Sequence, residues 1–165
     1  MLAVVPALRG GARFYTRDPA QADDLVQETV LRALAAADTF LPGSNMRAWC
    51  FTILRNFFLE QMRKGKKERE LLAQYSKDTE QSAPGSAAWE GEDVQELENL
   101  LWQLSPVLRE ALVLIGAQEM TYAEAAQVCG VEVGTMKARV SRARSMLRTI
   151  MEHRAQDPAP SDRRS

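Results

Sequence analysis

One stretch constrains this chain more than any other. Ser76-Lys77-Asp78-Thr79-Glu80-Gln81-Ser82-Ala83-Pro84-Gly85-Ser86 is polar, has Pro-Gly near its end and shows no apolar periodicity. A segment of this kind has too little to bury to join a packed core and reads as a flexible connector. It divides the 165 residues into two short pieces, each of which must build its own core. The organisation it implies is a first domain over 1–66, a linker over 67–93, a second domain over 94–152 and a disordered tail over 153–165. Fully extended, about 27 linker residues reach roughly 90 Å.

The charges follow the same division. The whole chain has 21 Lys and Arg against 22 Asp and Glu, a net of −1, which on its face argues against a nucleic-acid protein. By segment the balance is different. Gln61 to Arg69 carries five basic residues and one acidic, Lys137 to Arg154 six and one, whereas Ser76 to Glu98 carries one basic residue and seven acidic. The near-zero total is a cancellation of blocks, two basic surfaces joined by an acidic tether.

Both pieces read as all-α, because several segments show a 3.6-residue apolar period and none sustains alternation of period two. In the first, Asp18-Pro19 precedes a helix with the stripe Ala22, Leu25, Val26, Thr29, Val30, Ala33 and Ala37, ended by Phe40-Leu41-Pro42-Gly43-Ser44. Asn45 is the expected N-cap of a helix from Met46 to about Met62, with Trp49, Ile53 and Phe57 or Phe58 in the core. In the second, Ser105 caps a helix that opens with Pro106, and Thr121-Tyr122-Ala123-Glu124 has the form of a capping box. A short helix from Tyr122 to about Val128, the turn Cys129-Gly130-Val131 and a longer helix to about Met151 make a helix-turn-helix.

The chemistry of these helices is that of binding. The last helix bears Lys137, Arg139, Arg142 and Arg144 directly after the turn, with Val140, Ala143 and Leu147 on its packing side, and basic side chains in the first turns suit the DNA major groove. The helix from Met46 holds four of the 11 aromatic residues, Trp49, Phe51, Phe57 and Phe58, beside Arg47, Arg55 and Asn56, and it runs into a basic block. Stacking and backbone neutralisation of this kind suit a single strand, with Asn56 the best placed to read a base. Asp24, Gln27, Glu28 and Leu31 form an outward face, acidic around an apolar residue, fit for a protein partner. Cys50 and Cys129 lie far apart in apolar patterns and read as packing residues; with the lone His153 they supply no zinc site, and no cofactor is expected. Nothing resembles a nucleophile, a metal cluster or a phosphate loop, which sets an enzyme aside. No apolar run spans a bilayer and the start has no signal-peptide pattern, so the expected compartment is the cytoplasm.

Three ordered motifs resemble bacterial RNA polymerase sigma factors of the extracytoplasmic-function (ECF) group. They are Asp23-Asp24-Leu25-Val26-Gln27-Glu28-Thr29, then Asn45 to Asn56, then Thr121 to Ala126 with Val133 to Arg144. The resemblance implies a sigma domain two followed by a sigma domain four. It gives Asp24, Gln27, Glu28 and Leu31 to the β′ clamp helices of core polymerase. It gives Arg55, Asn56, Phe57, Glu60, Arg63 and Lys64 to the −10 element, with Asn56 taking an unstacked base. Lys137, Ala138, Arg139, Ser141, Arg142 and Arg144 go to the −35 element, Arg139 and Arg144 to hold phosphates or structure, and Ala138 and Ser141 are small enough that DNA shape shares in the reading. The partners implied are core RNA polymerase, including its β flap, promoter DNA and an anti-sigma factor. The wording of the motifs is similar to the α-proteobacterial general-stress subgroup. Two rival readings remain at this point, a sigma-like decoy that sequesters an anti-sigma factor and a helix-turn-helix regulator acting as a dimer.

Overall fold

The computed structural model of the chain describes residues 2–64 and 92–156. Of the expected linker over 67–93, residues 67–91 lie outside the described residues, as do Lys66 of the basic block and the tail beyond Gln156, whereas Glu92 and Asp93 are helical and belong to the second domain. Those residues form seven α-helices and no strand.

The first domain is α1 (Val5–Ala12), α2 (Pro19–Ala35) and α3 (Met46–Arg63). Asp18 caps α2 by accepting from the Ala20 amide at 3.0 Å, and Pro19, which lacks an amide proton, takes the first position. The α2 stripe turns Ala22, Leu25, Val26, Thr29 and Ala33 inward. Thr29, fully buried, donates its hydroxyl to the Leu25 carbonyl at 2.6 Å and so leaves no polar group unsatisfied. Ala37 is exposed, because α2 stops at Ala35 and a 3-10 turn, Ala37–Thr39, replaces the end of the expected stripe. Asn45 caps α3 as expected, accepting from the Ala48 amide at 3.2 Å.

The core side of α3 differs from the expected one by a single position. Cys50, Phe51, Leu54, Phe58 and Met62 are buried, while Trp49, Ile53 and Phe57 are only partly buried against the same cluster. Among the elements that cover this side is α1, a helix the sequence reading did not include. Gly11 is the contact point: a Cβ there would lie 2.3 Å from a Phe51 ring carbon, so the absence of a side chain lets α1 close on α3.

The second domain is α4 (Glu92–Trp102), α5 (Pro106–Leu112) running into a π-helical turn (Val113–Ala117), α6 (Tyr122–Cys129) and α7 (Val133–Gln156). The capping box of α6 is reciprocal, with Thr121 Oγ1 accepting from the Glu124 amide at 3.0 Å and Glu124 Oε1 from the Thr121 amide at 2.9 Å. Gly130 follows in the left-handed region at φ 68°, the turn that a helix-turn-helix needs. Ser105 sits at the cap position of α5 but does not cap it: its side chain is buried and makes no hydrogen bond, so extended geometry and Pro106 alone start that helix. Cys50 and Cys129 are both free and buried, as packing residues. At the C-terminus α7 runs on to Gln156, so 153–156 are helical rather than part of a disordered tail.

The two domains pack on each other, chiefly α3 on α6, and one buried cluster continues through both. The contact is polar at its edges. Arg13 pairs with Glu98 at 2.6 Å, Arg109 donates to the Phe14 carbonyl at 2.9 Å, Arg47 to the Gln118 carbonyl at 3.0 Å and Asn45 to Glu124 at 2.9 Å.

Gly11→Ala forces a methyl group into the Phe51 ring and should lower stability by about 1–3 kcal/mol. Thermal and urea unfolding of the full chain check this; an unchanged midpoint would show that α1 does not hold α3 through this contact.

Candidate nucleic-acid and polymerase interfaces

On α7 the inward side is set by Met136, Arg139, Val140 and Ala143, all buried. The outward side follows from helical geometry, since residues three, four and seven apart share a face. Lys137, Ser141 and Arg144 are exposed, with Ala138 and Arg142 half-buried at the edge. The structure therefore brings five of the six expected recognition positions to one accessible stripe or its margin. Arg139 is the exception, only 4% exposed and packed within the domain, because its place in the 3.6-residue repeat lies between Met136 and Val140. Lys137 lies 5.7 Å from the Tyr122 ring, which ties the stripe to the first helix of the motif.

On α3 the positions expected to meet the −10 element divide in the same way. Asn56, Arg63 and Lys64 are exposed and Phe57 and Glu60 are half-buried. Arg55 points the other way. Its Nε donates to Glu110 Oε2 at 2.6 Å, and the Tyr15 hydroxyl donates to the same oxygen. Arg55 is 8% exposed and Glu110 4%, so this is a buried ion pair between the domains. Burial alone lowers the pKa of the Arg55 guanidinium, but the Glu110 carboxylate beside it more than compensates and holds it above the usual value. Burial, then Glu110, push the Tyr15 phenol well up, so it remains a donor. In this arrangement Arg55 is closed off from any nucleic acid.

A third group joins α2 to α3. Arg32 donates from Nη1 and Nη2 to the two oxygens of Glu60, at 2.8 and 3.2 Å, and from Nε to Glu28 at 3.0 Å. Its guanidinium lies 4.6 Å from the centre of the Phe57 ring. The hydrogen bonds from Arg32 lower the Glu60 pKa, and those to Glu60 and Glu28 raise that of Arg32. The α2 face itself is as expected: Asp24 and Gln27 are exposed, Glu28 is half-buried and Leu31 is 62% exposed, with Leu34 next along at 57%. Two large apolar side chains are thus left in solvent beside the acidic ones.

Three functional side chains escaped the sequence reading. Glu110 and Tyr15 had no signal, because their link to Arg55 spans 55 and 40 positions and follows no local period. Arg32 stood on the right face, and its spacing of four from Glu28 was a usable sign. Among the described residues no group of His, Cys, Asp or Glu could hold a metal, and no helix is long and apolar enough to cross a membrane.

Comparison with known proteins agrees with both domains. Residues 2–68 match the family Sigma-70 region 2, and residues 94–147 match Sigma-70, region 4. A helical domain of the first kind followed by a helix-turn-helix of the second defines a sigma-70-type initiation factor. The chain shares 46% identity over 164 residues with the ECF RNA polymerase sigma factor EcfG of Rhodopseudomonas palustris, 98% of this chain and 89% of the relative. The sigma factor RpoE of Bartonella quintana, solved in complex with the anti-sigma factor NepR, superposes with a TM-score of 0.73 at 43% identity, over 92% of this chain and 93% of that one. CnrH, solved with the cytosolic domain of CnrY, gives 0.62 at 28% identity, over 89% and 81%. The chain belongs to the ECF sigma factors, of the α-proteobacterial type.

Because Arg139 packs and Lys137 does not, their alanine variants should separate. Arg139→Ala should lose about 1–3 kcal/mol of stability through its missing packing, and Lys137→Ala should stay within about 0.5 kcal/mol of the parent. Urea denaturation checks both; equal midpoints would overturn the inward placement of Arg139.

Proposed function

We propose that the chain docks on core RNA polymerase through Asp24, Gln27, Glu28 and Leu31 and captures a −10 base at Asn56, aided by Phe57, Glu60, Arg63 and Lys64. Lys137, Ala138, Ser141, Arg142 and Arg144 face the −35 element. The observation that carries this reading is the accessible stripe on α7, basic and placed directly after the left-handed turn at Gly130. The chain works by binding, in the cytoplasm, with catalysis left to the polymerase. Unstacking one base costs a few kcal/mol, which the pocket and phosphate contacts must offset, and polymerase holds the two reading domains at a set spacing so that their modest affinities add.

Arg55 takes part after the domains part. In the closed arrangement Glu110 occupies its guanidinium with a carboxylate, where DNA offers a phosphate. Glu98 and Glu124 likewise engage Arg13 and Asn45. The free chain is therefore held in a form that cannot present all its −10 side chains. Control by an anti-sigma factor, for a stress regulon, fits this arrangement, since RpoE was solved with the anti-sigma factor NepR.

Run-off transcription with core polymerase tests the function. Arg142→Ala should weaken promoter binding through the −35 half and Asn56→Ala should impair opening; wild-type activity of both, or no promoter-dependent product from the parent, would overturn the assignment. Glu110→Gln tests the closed form. It leaves the Arg55 charge buried without its counter-charge, a loss of about 3–5 kcal/mol from the closed state. Small-angle scattering should show an expanded free chain; an unchanged radius of gyration would remove Glu110 as the latch.

A further inference from the structure

The accessible side of α3 carries a charge at odds with a DNA strand. Asn56, Glu60 and Arg63, spaced by four and three residues, fall within about 60° of one another around the helix and form one stripe. Glu60 is the only acid of α3 and sits between the other two, about 6 Å along the axis from Asn56. A strand that gives a base to Asn56 and a phosphate to Arg63 passes this carboxylate well within a Debye length of about 8 Å at physiological salt. Glu60 can serve as an acceptor on this face only if its charge is met. We infer that Arg32 is a positioning residue for the −10 strand, acting through Glu60 by cancelling its charge and fixing its carboxylate. The inference rests on the reading of Asn56 as a base-capturing residue and adds to it a support from another helix.

Geometry carries the assignment. Arg32 reaches across from α2 and puts Nη1 and Nη2 on the two oxygens of Glu60, at 2.8 and 3.2 Å, so that the fork of the guanidinium closes on the whole carboxylate. Two further contacts aim that fork. Nε donates to Glu28, one turn back on the same helix, at 3.0 Å, and the Phe57 ring lies 4.6 Å from the guanidinium carbon. Protonation does not relieve Glu60, since the hydrogen bonds from Arg32 lower its pKa; the compensating charge is the guanidinium itself. Glu28 draws on the same cation in the free chain. On the docking proposed above, Glu28 turns to core polymerase in the holoenzyme, which leaves Arg32 to Glu60.

Stability alone does not account for the arrangement. The side chains of Arg32 and Glu60 are 37% and 44% exposed, and ion pairs this open to water add little to folding. Their charges still act on a polyanion laid against them, and that is where the pair has its effect.

The test uses holoenzyme assembled from the full chain with core RNA polymerase in saturating excess. Its affinity for a fluorescent promoter fragment, pre-melted across the −10 region, is measured over a range of salt concentrations. One unit of positive charge lost against a single strand takes about 0.7 from the slope of log affinity on log salt, or about fivefold in affinity at 0.1 M. Arg32→Gln should show both losses. Adding Glu60→Gln, which keeps a carbonyl acceptor and drops the charge, should restore the parental affinity and slope. If Arg32 only braces α2 against α3, the double variant stays as weak as Arg32→Gln; that result, or an unchanged slope in Arg32→Gln, would overturn the inference. So would parental affinity for the fragment at saturating core combined with weaker binding of core, which would make Arg32 a docking residue. Asn56→Ala separates the inference from the reading beneath it: a loss there with none in Arg32→Gln removes the inference alone, and no loss in either removes both.

Discussion

The arrangement of the two domains turns on one carboxylate. Glu110 projects from α5 into the seam between the domains and takes both the Arg55 guanidinium and the Tyr15 hydroxyl. The pair joins an acid of the second domain to a base and a phenol of the first. Separating them strands a buried acid on one side and a buried base on the other until water or a new partner reaches them. The surrounding contacts, such as Arg13 with Glu98 and Arg47 with the Gln118 carbonyl, are spread around this pair. They fix orientation, whereas the buried pair decides whether the closed seam is chemically acceptable at all.

α3 is the element through which everything else is connected. One side of it, Phe51, Leu54 and Phe58, is the core of the first domain, another packs on α6, and a third leaves Asn56, Arg63 and Lys64 in solvent. A helix buried on two sides can present only a narrow face. That explains why Arg55 and Asn56, adjacent in sequence and about 100° apart around the helix, have opposite fates. The same narrowness makes Arg32 important, because it braces the open face from outside by gripping Glu60 and lying over Phe57.

What could be read without coordinates was whatever has a local physical cause. Asp18, Asn45, the Thr121 and Glu124 box and the Gly130 turn were all legible, because a cap or a left-handed turn is decided within four residues. The α2 stripe and the accessible positions of α7 followed from the 3.6-residue period. Elements whose cause is tertiary were not legible. α1 closes on α3 where Gly11 admits Phe51, and that contact has no local sign in the sequence. The one-position error on α3 is tertiary too, since the elements packed on it, α1 among them, decide which of two adjacent aromatic registers is covered. Arg139 and Arg55 belong to the DNA positions that the resemblance implies, Arg139 there holding phosphate or structure. Their burial depends on neighbours from the far side of the fold.

A buried ion pair is also a suitable fastening for a factor that must open. Hydrophobic side chains of the same volume at Arg55 and Glu110 would often hold two domains as firmly or more so, but nothing in polymerase or DNA would compete for them. A guanidinium does have competitors, since a DNA phosphate offers the same charge and the same paired acceptors as Glu110. On the function proposed above, the seam is stable in the free chain and yields when polymerase brings the −10 strand to α3, because the charge that closes it is one that DNA can replace. On this view the acidic residues facing the first domain, Glu98, Glu110 and Glu124, stand where a nucleic-acid strand is to come. The chain-wide charge of −1 then has a structural meaning: part of the acid of the second domain is placed against Arg13 and Arg55 of the first.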